Sequence, residues 1–153
     1  MPIRIATAED IDGWAALRAL LWPHTGHAVH LDEIREMLAN PGCVALLGAT
    51  ETGALRGFAE ATVRHDHVNG CDTSPVAFLE GIFVRPAHRG QGIARALVTA
   101  VEAWAQAQGC TELGSDAALD NLASHAFHTA AGFAETERVV YFRKRLGGSF
   151  TPP

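Results

Sequence analysis

Phe83-Val84-Arg85-Pro86-Ala87-His88-Arg89-Gly90-Gln91-Gly92-Ile93-Ala94 is the stretch that decides how this chain folds. It leaves a run, 75–84, that reads as a strand with Phe78, Leu79, Ile82, Phe83 and Val84 as its apolar mass, crosses a loop containing two glycines, and opens a helix. Ile93, Ala94, Leu97, Val98, Val101, Trp104 and Ala105 share one face of that helix, and Gly109 is placed to end it. Gly90 and Gly92 let the backbone approach a ligand closely, while the first turn of the helix offers N–H groups with no intrahelical partner. Together with the helix dipole this makes a cradle for an anion, to which Arg89 adds a fixed positive charge. Two familiar phosphate loops are excluded. No Gly-Lys-Ser/Thr is present, and Gly90-x-Gly92 lacks both the third small residue of the dinucleotide fingerprint and a surrounding βαβ unit.

Outward from the loop, the pattern alternates between helices and strands. Ile3-Arg4-Ile5 reads as an opening strand, and Thr7 as an N-cap with acids in the first turn. Ile11, Trp14, Leu17 and Leu21 then predict a helix to about Trp22-Pro23. A loop over 24–30 precedes a second helix carrying Leu31, Ile34 and Leu38, which Asn40-Pro41-Gly42 stops. Segments 43–50 and 55–64 around Glu51-Thr52-Gly53 predict a hairpin, and Asn69-Gly70 marks a turn in a polar loop over 65–74. After the long helix come a strand over 111–115, a short helix over 121–131, and a last strand pair around 133–137 and 139–145. The sequence thus predicts one α/β (α+β) domain over 1–146, with a mixed, mostly antiparallel sheet of six to seven strands and about four helices. Residues 147–153 have the composition of a disordered tail.

With 153 residues the chain is long enough to bury a core without disulfides or a structural metal. Its 48% hydrophobic and 19% charged content excludes a disordered protein, a collagen and a coiled coil. No apolar run approaches the ~20 residues of a membrane helix, and Glu9, Asp10 and Asp12 stand where a signal peptide would be apolar. A cytoplasmic location is expected. Twelve basic against seventeen acidic residues give a charge of −5, which argues against nucleic acid or an anionic membrane as partner and suits a cationic one. Cys43, Cys71 and Cys110 form no zinc or disulfide pattern. The eight histidines include His24-x-x-His27-x-x-His30 and His125-x-x-His128 but no convergent ligand set, so no metal is expected.

Arg89-x-x-Gly92-x-Ala94 resembles the Arg/Gln-x-x-Gly-x-Gly/Ala pattern of the GNAT acetyltransferase superfamily, whose loop holds the pyrophosphate of acetyl-CoA. Asn121, the aromatic helix face that follows it, and Gly132-Phe133 resemble that superfamily's second signature. Longer blocks narrow the likeness. Leu20-Leu21-Trp22, Val68-Asn69-Gly70, Phe78-Leu79-Glu80-Gly81-Ile82, the run 115–121 and the run 135–142 are similar to aminoglycoside 6′-N-acetyltransferases, enzymes that acetylate the 6′-amine of kanamycin-like antibiotics. The similarity spans about 1–146. It implies a GNAT acyltransferase fold, acetyl-CoA as cosubstrate, an aminoglycoside as acceptor, a resistance role, and a homodimer in which the 65–74 loop reaches a partner's groove.

The resemblance also assigns roles. Arg89, Gly90, Gln91, Gly92, Ile93, Ala94 and Arg95 would hold the pyrophosphate. Backbone N–H groups near Ile82, Phe83 and Val84 would hold the pantetheine arm and polarise the acetyl carbonyl, with Asn121 bonding the arm from the other side. Glu80 and Asp116, acids in or at the end of an apolar strand, need partners, and a polycationic amine would supply them. Either is a candidate to take the ammonium proton in a ternary complex with direct transfer, since no cysteine has an evident nucleophile context. Trp22 is read as a wall of the acceptor site or as a core residue. His67 stands where related enzymes carry an aromatic wall residue, and Glu137 would add charge on the last strand pair. His128, or Tyr141, would protonate the leaving thiolate. An acetyltransferase of a peptide or polyamine amine, and a non-catalytic acyl-CoA-binding module, remain open.

Overall fold

In the computed structural model, residues 3–147 are described. Five strands form one sheet in the order β1-β2-β3-β4-β5: β1 (Ile3–Ile5), β2 (Cys43–Ala49), β3 (Leu55–Arg64), β4 (Val76–Val84) and β5 (Leu113–Ser115). The first four run antiparallel to their neighbours, and β5 lies parallel to β4. Of four α-helices, α1 (Ile11–Leu21), α2 (His27–Ala39) and α3 (Ile93–Ala107) pack on this sheet, and α4 (Leu122–Ala130) meets it through His128 at Ser115 of β5.

The sequence of β2, Cys-Val-Ala-Leu-Leu-Gly-Ala, is apolar throughout because both faces of the sheet are covered. Its alternate residues divide between two cores. Val44 and Leu46 join Ala59, Ala61 and Leu79 under Ile93, Leu97 and Val101 of α3. Ala45 and Leu47 join Phe58 on the opposite face, under Trp14 and Leu17 of α1 and Ile34 of α2. Leu47, Phe58, Leu97 and Val101 are fully buried, each contributing roughly 1.5–3 kcal/mol relative to exposure.

The sheet is interrupted where the chemistry is expected. Glu60 of β3 stands opposite Gly81 of β4, yet Ala61 stands opposite Leu79, so Glu80 is an extra residue in a bulge. The β4–β5 pairing covers Ala77, Phe78 and Leu79 against Leu113, Gly114 and Ser115 and stops there. Beyond Leu79 the β5 side of β4 has no strand partner among the described residues.

Three expectations are corrected. The second helix begins at His27, not after His30, because Gly26 in extended conformation starts it and His30 packs inside. β5 is shorter than the predicted 111–115. The sheet has five strands rather than six to seven: residues 133–145 form no strand. Thr136 rests against Gly70, where an added Cβ would collide with its Oγ1. The apolar side chains Val140, Tyr141 and Phe142, by contrast, are 74%, 82% and 92% exposed, with no facing layer in a single chain to bury them. Of the predicted tail 147–153, only Gly147 is among the described residues.

Candidate active site

The glycine loop is built as an anion site requires. Gly90 and Gly92 have φ of 77° and 81°, in the left-handed region, and nothing lies within 4 Å of where their Cβ atoms would be. Gly92 caps α3, directing the free N–H groups of its first turn into the same open space. Arg89 is fixed to the preceding strand: its Nε donates to the Val84 carbonyl at 2.9 Å, and its guanidinium lies 5.4 Å from the Phe83 ring. Arg95 reaches across to the Ala130 carbonyl and ties α3 to α4. At the start of α4, Asn121 accepts from the Ser124 N–H at 3.2 Å, which commits its oxygen to capping and leaves its Nδ2 donor free among the described residues.

Glu80 leaves the bulge paired rather than bare. Thr62 Oγ1 donates to it at 2.6 Å, and Arg64 donates through Nη2 at 2.8 and 3.0 Å and through Nε at 3.2 Å. Arg64 in turn stacks 3.7 Å over Phe78. A cavity lies on each side of this ion pair. One, of about 460 Å³, is lined by Trp22, Glu33, Glu36, Glu60, Thr62 and Glu80. The other, of about 770 Å³, is lined by Arg64, His67, Ser115, Asp116, His128 and Glu137 among others, with Tyr141 at its edge. The substrate residues expected from sequence therefore divide between two cavities, Trp22 and Glu80 in one, His67, Asp116 and Glu137 in the other.

Trp22 follows α1 and meets Phe58 edge-on, ring centroids 6.0 Å apart, with the Arg18 guanidinium 5.0 Å from its centroid. Its ring presses on Gly81, where an added Cβ would come within 2.5 Å of Cζ2. It is a cavity wall and a core contact at once. Beneath it lies a buried charge network. Arg18 donates to the His30 carbonyl at 3.2 Å, pairs with Glu33, and holds Nε 3.2 Å from Glu60. Glu60 is only 2% exposed. Burial pushes its pKa up to about 7, opposed by Arg18 and reinforced by Glu33 and Glu80.

His128 is oriented by α4 itself. Its Nδ1 lies 2.7 Å from the Ser124 carbonyl, and its Nε2 lies 2.8 Å from Ser115 Oγ at the end of β5. A carbonyl only accepts, so Nδ1 carries the proton of the neutral ring and Nε2 presents its lone pair to the serine hydroxyl. Phe127 and Phe133 flank the imidazole edge-on at 5.6 and 5.1 Å.

Arg64, Ser115 and the Arg18–Glu60 pair join the site without having been individually expected there from the sequence. Glu60 was open to the argument applied to Glu80, since it too is an acid in an apolar strand. Arg64 and Ser115 carried no such signal, because only the register of three strands brings them to the site. Among the described residues, no group of three or more His, Cys, Asp or Glu is arranged to hold a metal, and no helix is long and apolar enough to cross a membrane.

A strand edge left open beside a glycine cradle and two acid-lined cavities suits an enzyme that carries an acyl group on a long phosphorylated arm to an amine. The chain belongs to that class: residues 13–133 match the Acetyltransferase (GNAT) family. Its similarities then become specific. It is 52% identical to an aminoglycoside N(6′)-acetyltransferase type 1 of Acinetobacter baumannii, covering 96% of this chain and 98% of the relative. It is 49% identical to the enzyme of that name from Serratia marcescens, covering 95% and 99%. Among solved structures, AAC(6′)-Ih from Acinetobacter baumannii superposes with a TM-score of 0.91 at 51% identity, covering 95% of this chain and 99% of that one. AAC(6′)-Iy in complex with the bisubstrate analogue CoA-S-monomethyl-acetylneamine gives 0.90 at 43% identity, covering 94% and 97%.

Proposed function

We propose that the chain is an acetyl-CoA-dependent aminoglycoside 6′-N-acetyltransferase acting as one catalytic domain over 1–146. The observation that carries this is the 52% identity, over nearly the whole of both chains, to a relative of that activity. The site supports it chemically. Residues 90–95 with Arg89 offer N–H groups and positive charge to a diphosphate, and the open edge of β4 at Ile82, Phe83 and Val84 gives an extended arm a backbone to bond. Asn121, whose Nδ2 has no partner among the described residues, would bond the arm from the other side. When bound, acetyl-CoA supplies the activated acetyl group; the protein's own residues orient the arm and manage protons.

The acceptor role falls to the acids. Glu33 and Glu36 line one cavity, together with Glu60, buried against Arg18, and Glu80, which Arg64 holds. Asp116 and Glu137 line the other, beside His67. One ammonium–carboxylate contact at 4 Å has a Coulomb energy of about 4 kcal/mol near a protein surface, before desolvation. Several such contacts select a ligand with several ammonium groups. Trp22 would wall the sugar ring, and His67 would face it from the second cavity. Asp116 is the better of the two predicted proton acceptors, because Glu80 already accepts from Thr62 and Arg64. His128 is assigned to the proton needed by the leaving thiolate, ahead of Tyr141, which is 82% exposed.

The protein would work in the cytoplasm, where acetyl-CoA is made and used, and confer resistance there. It would also be a homodimer, since Val140, Tyr141 and Phe142 lie exposed on a segment with no helix or strand and need a second copy to cover them.

The test is direct. Purified protein, acetyl-CoA and kanamycin should release one thiol per acetyl group gained, with NMR placing the acetyl on the 6′ nitrogen. Unmodified drug, or acetyl on another nitrogen, would overturn the assignment.

A further inference from the structure

We propose that Ser115 and His128 form a two-member proton shuttle that serves both ends of acetyl transfer, an inference resting on the acetyltransferase reading above. Ser115 stands opposite Leu79, the last β4–β5 pair before the strands part and the residue next to the bulged Glu80. Its hydroxyl thus sits where the open edge of β4 begins, inside the cavity that also holds Asp116. Its partner is fixed in both position and tautomer. The Ser124 carbonyl, 2.7 Å from Nδ1, can only accept, so the ring in its neutral form keeps its proton on that nitrogen and Nε2 accepts from Ser115 across 2.8 Å. Ser124 Oγ lies farther from the same Nδ1, at 3.3 Å, and the Leu79 carbonyl, 3.5 Å from Ser115 Oγ, is the longer of the hydroxyl's two acceptors. A serine whose proton is drawn toward an oriented imidazole is an activated hydroxyl. Glu80 is less suited to take a proton, since Thr62 and Arg64 already donate to it.

The proton count closes. The acceptor first loses its ammonium proton to solvent by way of Asp116. As the neutral amine attacks, its N–H bond breaks, the proton passes to Ser115 Oγ, and the hydroxyl's own proton moves to His128 Nε2. When the C–S bond breaks, the imidazolium returns that proton to Ser115, whose hydroxyl protonates the departing sulfur. An N–H and a C–S bond are exchanged for a C–N and an S–H bond, nothing is oxidised or reduced, and the pair ends as it began. Ser115 thereby explains how a histidine with no proton on its cavity-facing nitrogen can act on a thiolate.

Two measurements test the pair. In the protein without ligands, ¹⁵N NMR of the imidazoles should find His128 as the Nδ1–H tautomer with Nε2 accepting a hydrogen bond, and Ser115→Ala should move the Nε2 resonance alone. With acetyl-CoA and kanamycin, Ser115→Ala should lower kcat about 10²-fold or more while leaving the kanamycin KM within threefold. The wild-type rate in H₂O–D₂O mixtures should curve, as two protons in flight require, and the variant's should become linear. Ser115→Thr, which keeps the hydroxyl, should restore most of the rate, and circular dichroism should find both variants folded. An Nε2–H tautomer, or a Ser115→Ala kcat within twofold of wild type, would overturn the shuttle. If wild-type protein does not acetylate kanamycin, it is the function assignment that fails, and the tautomer measurement still decides whether the pair is poised as described.

Discussion

Gly81 and Trp22 show how far a single hydrogen atom can matter at this site. The indole lies where a methyl group on residue 81 would have to be, next to the carboxylate of the bulge. Gly81→Ala is therefore expected to cost about 1–3 kcal/mol of stability by overpacking. It should also raise the acceptor KM more than the acetyl-CoA KM, as initial-rate kinetics with each substrate varied would measure. The Asp116 carboxylate lines its cavity with no hydrogen-bond or ion-pair partner among the described residues, so Asp116→Asn should lower kcat/KM for kanamycin by roughly 10²-fold or more with little change in melting temperature. Activity near the wild-type level would remove Asp116 from the proton path.

At the scale of elements, Glu60 makes the interior of β3 sensitive to pH. Between the ordinary glutamate value of 4.5 and about 7, the folded chain keeps a proton that the unfolded chain has released. Stability contributed by this group therefore falls as pH rises through that window, by on the order of 3 kcal/mol in all. Glu60→Gln should flatten the slope of urea-unfolding free energy between pH 5 and pH 7, whatever its effect on absolute stability. An unchanged slope would mean that Arg18 compensates the charge fully. The same strands show what was legible beforehand. The β2–β3 hairpin, the glycine loop and α3 were plain because apolar period and glycine position act locally, and Gly53, at φ 91°, turns the hairpin where the sequence placed the turn. The start of α2 was misplaced because His24, His27 and His30 look polar in sequence, whereas His30 is 1% exposed in the core. The bulge at Glu80, the Arg64 pair and the Ser115–His128 contact were not legible, since each depends on register between strands distant in sequence.

At the scale of the whole molecule, the two expected C-terminal strands are the instructive failure. Their sequence has strand character, Val139-Val140-Tyr141-Phe142 above all, but a lone chain offers them no apolar face and no sheet edge they occupy. The dimer reading gives that character a use. Light scattering at micromolar concentration should return twice the chain mass of 16.3 kDa, and Tyr141→Ser with Phe142→Ser should shift it toward the monomer. A wild-type monomer would contradict the dimer while leaving the chemistry of the site intact.

The central claim is that the glycine cradle, the open edge of β4 and the acid-lined cavities form a single path from diphosphate to amine. A crystal structure of the protein with both coenzyme A and kanamycin tests it most directly. The predicted result has the diphosphate on the N–H groups of 90–94, the arm along Ile82 to Val84, and the sulfur and the 6′ nitrogen meeting beside Ser115 and Asp116. Coenzyme A bound away from that loop, or a 6′ nitrogen directed away from the sulfur, would contradict it.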